Sequence, residues 1–126
     1  MTAGITVDAG GLIAVDRDNR SVIVLLARAT EVGARITVPA GALAQAMRTP
    51  ERQVRLARLI RQPNADVVAL DRVDATNVGR LLAASKTADV IDAHVVICAR
   101  RVGQQVLTSD GDVLRRLDPQ LDAVEV

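Results

Sequence analysis

The sequence predicts an α/β domain built on a central, mainly parallel sheet of about five strands with helices on both faces. Three observations carry this. Short apolar runs alternate with longer segments of helical periodicity along the chain, as strands joined by helical crossovers do. Gly33, Pro39, Pro50, Pro63, Gly103 and Pro119 punctuate that alternation. The length, 126 residues, suits one domain (1–126) with one sizeable core, and no internal repeat, low-complexity tract or linker divides it.

In chain order, ITV at 5–7 reads as the first strand and leads into Asp8, two glycines and an apolar stretch. SVIVLLARATEV (21–32) reads as a helix, ARITV (34–38) as the second strand, and AGALAQAM (40–47) and ERQVRLARLIRQ (51–62) as helices broken or bent near Pro50. DVVAL (66–70) is the third strand, followed by helices over ATNVGRLLAAS (75–85) and DAHVVICARRV (92–102). QQVLT (104–108) and LDAVEV (121–126) supply the last two strands.

Composition narrows the function classes. Hydrophobic residues make up 49% and charged residues 25%, which excludes a disordered chain. There is no Phe, Tyr or Trp, so the core must be aliphatic, and no ring is available for a nucleic-acid base to stack on. A small aliphatic domain of this kind is expected to lean on a partner surface. The net charge is +1, from 16 basic and 15 acidic residues, so any attraction to nucleic acid must come from local patches. The basic residues are arginines except Lys86, suited to bidentate contact with phosphate or carboxylate. The single Cys98 excludes an internal disulfide and fits a reducing compartment. No basic, apolar leader opens the chain and no run approaches the roughly 18 apolar residues of a membrane span, so a cytoplasmic protein without a membrane partner is expected.

Acids recur where parallel strands end. Asp8 follows the first strand, Asp71 the third, and Asp110 and Asp112 the fourth; Asp89 and Asp92 open the helix near 92. In open α/β sheets the strand C-termini share the rim where sites form. Each acid also has a simpler reading. Asp8 and Asp71 fit helix caps, Asp89 fits a cap for the helix that holds Asp92, Asp92 suits a first turn, and TSDGDV reads as a turn. Taken together, carboxylates crowded on one rim raise each other's pKa, and a hard divalent cation relieves that conflict while able to activate water at a phosphodiester.

The order of these segments resembles the PIN domain family, and more closely the virulence-associated protein C (VapC-like) toxins of bacterial toxin–antitoxin pairs. The matching stretches are TVDAGGLIA, VPAGALAQAMR, ADVIDAHVVICAR and VLTSDGDVLRRL, spread over nearly the whole chain in the family's order. The resemblance implies a three-layer α/β/α sandwich and a Mg²⁺- or Mn²⁺-dependent endoribonuclease. Asp8, Asp92 and Asp110 correspond to the family's catalytic, metal-binding acids, and Asp112 is an accessory acid beside them. It further implies in-line hydrolysis leaving a 5′-phosphate, a cognate antitoxin protein, and a homodimer. One position departs: Gln45 stands where the family's PxxxLAEV-like motif carries glutamate. Glutamine keeps a carbonyl oxygen but loses the charge, so a divalent ion is expected to bind more weakly and one tight ion is expected rather than two.

Arg48, Arg52, Arg55, Arg58 and Arg61 recur at helical spacing with only Glu51 among them to oppose their charge. They read as an RNA phosphate track, as a dock for an acidic partner segment, or as a solvated face; Val54, Ala57, Leu59 and Ile60 would form the apolar side. An antitoxin would bury an apolar helix against 51–62 and point a basic side chain at the acids. Thr108 and Ser109 read as supports for Asp110, as phosphate contacts, or as turn residues. His94 reads as structural and Cys98 as a core thiol. Gly10–Gly11 lacks both nucleotide-binding glycine patterns, and Asp8–Ala9–Gly10 lacks the Asp-x-Asp of aspartyl phosphatases. The leading expectation is the nuclease toxin. A non-catalytic PIN-fold module that docks a protein partner or RNA, weakened at Gln45, is the alternative, and a nuclease working without an antitoxin is the third.

Overall fold

The computed structural model describes residues 4–126. Five strands form one wholly parallel sheet: β1 (Ile5–Val7), β2 (Ile36–Pro39), β3 (Ala65–Val68), β4 (Gln105–Thr108) and β5 (Ala123–Glu125). Their order is β3-β2-β1-β4-β5, so β1 lies at the centre and the chain reverses direction of travel between β1 and β4. The register pairs Val7 with Leu107 and Ile5 with Ile36.

Every residue of β1 and β2 is buried, because helices cover both faces of a parallel sheet. The edge strands β3 and β5 are partly exposed. The helices are α1 (Ala9–Asp16), α2 (Arg20–Glu31), α3 (Ala40–Ala46), α4 (Val54–Ile60), α5 (Arg72–Ser85), α6 (Val90–Val102) and α7 (Gly111–Leu117), with a 3-10 turn at Pro50–Arg52. The core is aliphatic, centred on Val7, Leu12, Ile36, Val38, Leu56, Val95, Val96, Val106 and Leu114.

The structure differs from the sequence reading in four places. The sequence reading assigned no helix over 9–16 or 111–117, although it allowed Asp8 as a cap for the segment after β1, which it is. α1 carries two adjacent glycines and an apolar surround because it is buried on several sides, so it lacks the polar face that marks a surface helix. α7 opens on Asp110–Gly111–Asp112, which reads as a turn. The helix expected over 51–62 is two pieces, parted at Gln53, whose backbone (φ −99°, ψ 57°) is not helical. Leu56 and Leu59, rather than Val54, then face the core, and Val54 is exposed. Finally, α6 begins at Val90, with Asp89 as its cap and Asp92 in its first turn.

Gly10 and Gly11 let α1 lie close over the ends of β1 and β4. A Cβ on Gly11 would fall 2.7 Å from Val7 Cγ1 and 2.8 Å from the Leu107 carbonyl oxygen, and one on Gly10 would press into Ser109. The glycine pair is thus a packing requirement that brings Asp8 beside the β4 exit.

Candidate functional site

Asp8, Asp92 and Asp110 line one cleft of about 660 Å³ at the C-terminal ends of β1 and β4. This is the switch point of the sheet, where the connections from the two central strands part and leave a crevice. Gln45, Arg48 and Ser109 line the same cleft.

Asp8 leaves β1 directly and caps α1: the Gly11 N–H donates to its Oδ1 at 2.9 Å. It is only 7% exposed. Burial raises its pKa; hydrogen bonds from the Thr108 side chain and the Gly11 and Gly10 N–H groups hold the rise back, and Glu125 adds to it. Cap and cleft carboxylate are therefore one residue.

Asp110 caps α7, accepting from the Val113 N–H at 3.3 Å, while its own N–H donates to Thr108 Oγ1 at 3.0 Å. Thr108 is thus a buried support for both acids. Asp89 caps α6 by accepting from the Asp92 N–H at 2.9 Å. That bond fixes the first turn of α6 and the half-buried Asp92 within it. Asp92 is pushed up to about 6, first by burial and then by the charges of Asp89, Asp8 and Asp110. Each of those acids is near enough to Asp92 to disfavour its ionised form, which is the signature of like charges sharing a site.

The remaining site residues expected from the sequence are spread more widely. Asp112 does not line the cleft; its side chain is 95% exposed and pairs at 3.5 Å with Arg115. Gln45 is exposed on α3 at the cleft wall. Of the arginines, Arg48 lines the cleft, whereas Arg55 and Arg58 border a second groove of about 320 Å³ with Ile23, Leu26 and Leu59. Arg55 pairs with Asp18 at 3.4 Å, and Arg52 is exposed on the 3-10 turn. The arginines do not form one continuous track into the cleft.

Three cleft features went unread in the sequence. Arg17 and Gln53 line the cleft, and Glu125 accepts from the Gly111 N–H at 2.8 Å next to Asp110. Nothing marks them locally: each is a single polar residue at an element end.

A separate buried cluster joins α5 to α6. His94 Nε2 donates to Asp74 Oδ2 at 2.7 Å, Cys98 Sγ lies 3.4 Å from the same nitrogen, and Arg101 pairs with the other oxygen of Asp74. The ligand atoms of Asp74, His94 and Cys98 all lie within 4.8 Å of one another, close enough to hold one metal ion. Burial alone would raise the Asp74 pKa, but its bonds to His94 and Arg101 outweigh it and lower the pKa. Burial pushes the Cys98 thiol up to about 11, and Asp74 adds to it, so the thiol is not activated. This group shares no residue with the cleft.

Among the described residues no helix is long and apolar enough to cross a membrane. No family model matches the chain, and no curated protein matches it by sequence. Solved structures do match. One is a chain of VapBC2 from Rickettsia felis, crystallised bound to a DNA fragment from its promoter. It is 12% identical, with a TM-score of 0.65 over 96% of this chain and 97% of that one. At that identity the likeness speaks for the fold alone, and the fold is a PIN-like three-layer α/β/α sandwich.

Proposed function

We propose that this protein is a Mg²⁺- or Mn²⁺-dependent endoribonuclease, the toxin of a toxin–antitoxin pair, with Asp8, Asp92 and Asp110 as its catalytic, metal-holding acids. One observation carries the reading. Three carboxyls from three elements line one cleft, and Asp8 and Asp110 both help to lift the pKa of Asp92. A protein gains nothing in stability from such crowding, and a hard oxygen-liganded cation resolves it. The donor set fits Mg²⁺ or Mn²⁺ better than zinc, since the cleft wall offers carboxylates and the Gln45 amide but neither histidine nor cysteine.

When bound there, a divalent ion supplies Lewis-acid stabilisation of phosphoryl charge and acidifies water. The chain's own residues do the rest. Asp8 and Asp110 are held rigid by the caps they form, Asp92 by the first turn of α6. A carboxylate of the cluster would take the proton of the attacking water. Gln45 would offer a neutral oxygen in place of a charge, which leaves Asp8, Asp92 and Asp110 as the carboxylates that would hold the ion.

The structure with the same fold is VapBC2 bound to a DNA fragment from its promoter. This supports a separate antitoxin protein as partner, which in this reading covers the α2–α4 groove near Arg55 and Arg58, in a homodimeric, cytoplasmic toxin. The exposed Gln45 favours the second reading, a binding module without catalysis. Titration of Mn²⁺ followed by amide NMR shifts, with RNA cleavage measured in parallel, separates the two. Saturable shifts around Asp8, Asp92 and Asp110 with Mn²⁺-dependent cleavage, both lost in Asp8→Asn, are expected. No binding at millimolar Mn²⁺ overturns the nuclease and leaves the binding module.

A further inference from the structure

The cleft lining combines acids with two arginines. Asp8, Asp92 and Asp110 come from the strand-end side, while Arg17 and Arg48 line the same cleft from the ends of α1 and α3, with Asp16 next to Arg17. Elsewhere Arg35, Arg55, Arg100, Arg101 and Arg115 each pair with an aspartate. Arg17 and Arg48 are among the ten arginines that make no ion pair among the described residues, and they are the two of those ten that line the cleft, which they share with four acids.

Behind Arg48 lies Gln53, only 4% exposed and fully engaged. Its Oε1 accepts from the N–H groups of both Arg48 and Thr49 at 2.9 Å, and its Nε2 donates to the Ala46 carbonyl at 2.9 Å. These three bonds tie the end of α3 to the turn that follows it. They are a side-chain substitute for the backbone pairing that the break between α3 and α4 forfeits. The Arg48 guanidinium is steered in turn by the bond from its Nε to the Gln45 carbonyl at 3.1 Å.

We infer that Gln53 is a positioning residue that fixes the Arg48–Thr49 turn, so that Arg48 together with Arg17 clamps a phosphate neighbouring the one at the acid cluster. This rests on the nuclease reading for what the acid cluster does and deepens it. A cleft that holds both a cation-binding acid cluster and two arginines fits a ligand with successive phosphates, a polynucleotide strand, rather than a lone phosphate monoester.

The test is binding of a short fluorescein-labelled RNA oligonucleotide, without divalent metal so that nothing is cut, over a series of KCl concentrations. The slope of log affinity against log salt reports the phosphates neutralised. Arg17→Ala and Arg48→Ala, both exposed positions, are each expected to flatten that slope by about 0.7. Gln53→Met, which keeps volume but loses all three bonds, is expected to match Arg48→Ala, and Gln53→Met with Arg48→Ala together to flatten it no further. Mn²⁺ shifts at the acids stay as in the wild type. A wild-type slope in the arginine variants overturns the clamp. A Gln53→Met protein with lowered melting temperature but wild-type slope overturns the positioning role. Wild-type protein that binds RNA with the expected slopes yet never cleaves it with Mn²⁺ refutes the nuclease reading while leaving the clamp intact.

Discussion

The Asp92 carboxyl is pushed above the ordinary carboxylate range, and the direction of that shift sets a testable sign. Its pKa rises from 3.8 to about 6 on folding, through burial and the neighbouring carboxylates. Between those values the folded chain binds more protons than the unfolded one, so stability falls as pH rises through that window. Asp92→Asn removes the charge, and the expected outcome in thermal melts at neutral pH is a higher melting temperature than the metal-free wild type. Mn²⁺ should raise the wild-type melting temperature at neutral pH and progressively less below about pH 6, where protons compete for Asp92. Asp8 divides its two roles differently. Asp8→Asn keeps an acceptor for the Gly11 N–H and is expected to melt near the wild type while losing metal binding and cleavage. Asp8→Ala loses the cap as well, at a cost of about 1 kcal/mol by denaturant titration. Gln45→Glu restores a charge to the cleft wall and is expected to tighten Mn²⁺ binding in the same NMR titration.

At the scale of elements, packing against fixed backbone explains why some helices were hidden from the sequence. α1 was illegible because Gly10 and Gly11 are poor helix formers, chosen by the approach of α1 to Leu107 and Ser109 rather than by local preference. Gly11→Ala should therefore destabilise by about 1–3 kcal/mol in denaturant unfolding, despite alanine's better propensity, since neither Val7 nor the Leu107 carbonyl has room to move. The strands and the longer helices α2, α5 and α6 were legible because alternation and periodicity are local. The tie between α5 and α6 was not, because Asp74 looks like an ordinary first-turn acid until His94 and Arg101 are brought to it. Asp74→Ala leaves the buried His94 nitrogen unpartnered and is expected to cost about 1–3 kcal/mol while sparing Mn²⁺ binding in the cleft. If the cleft lost its metal too, the two clusters would be coupled through α6.

On the scale of the whole molecule, sheet order makes the site. Asp8 and Asp110 lie at opposite ends of the sequence, and only the central placement of β1 beside β4 sets their strand exits side by side. Periodicity says nothing of that order. The acids could be picked out as residues, but their meeting rested on the inferred shared rim of parallel strand ends and on the family resemblance, and the place of Arg17 and Arg48 in the cleft on neither. Where Arg48 was legible as part of a basic run, the structure divides that run between two grooves.

The pairing of Val7 with Leu107 has a consequence in time as well as space. A parallel contact between the first strand and the fourth closes nearly the whole chain into one loop, and such distant contacts form slowly. A ribosome making this protein extrudes Asp8 early, yet the cleft has no second wall until β4 has emerged and docked. During synthesis the nascent chain carries isolated carboxylates with nothing to hold a cation between them. A cell making this protein would meet its chemistry only when the last central strand closes, which leaves an interval for a partner to be waiting.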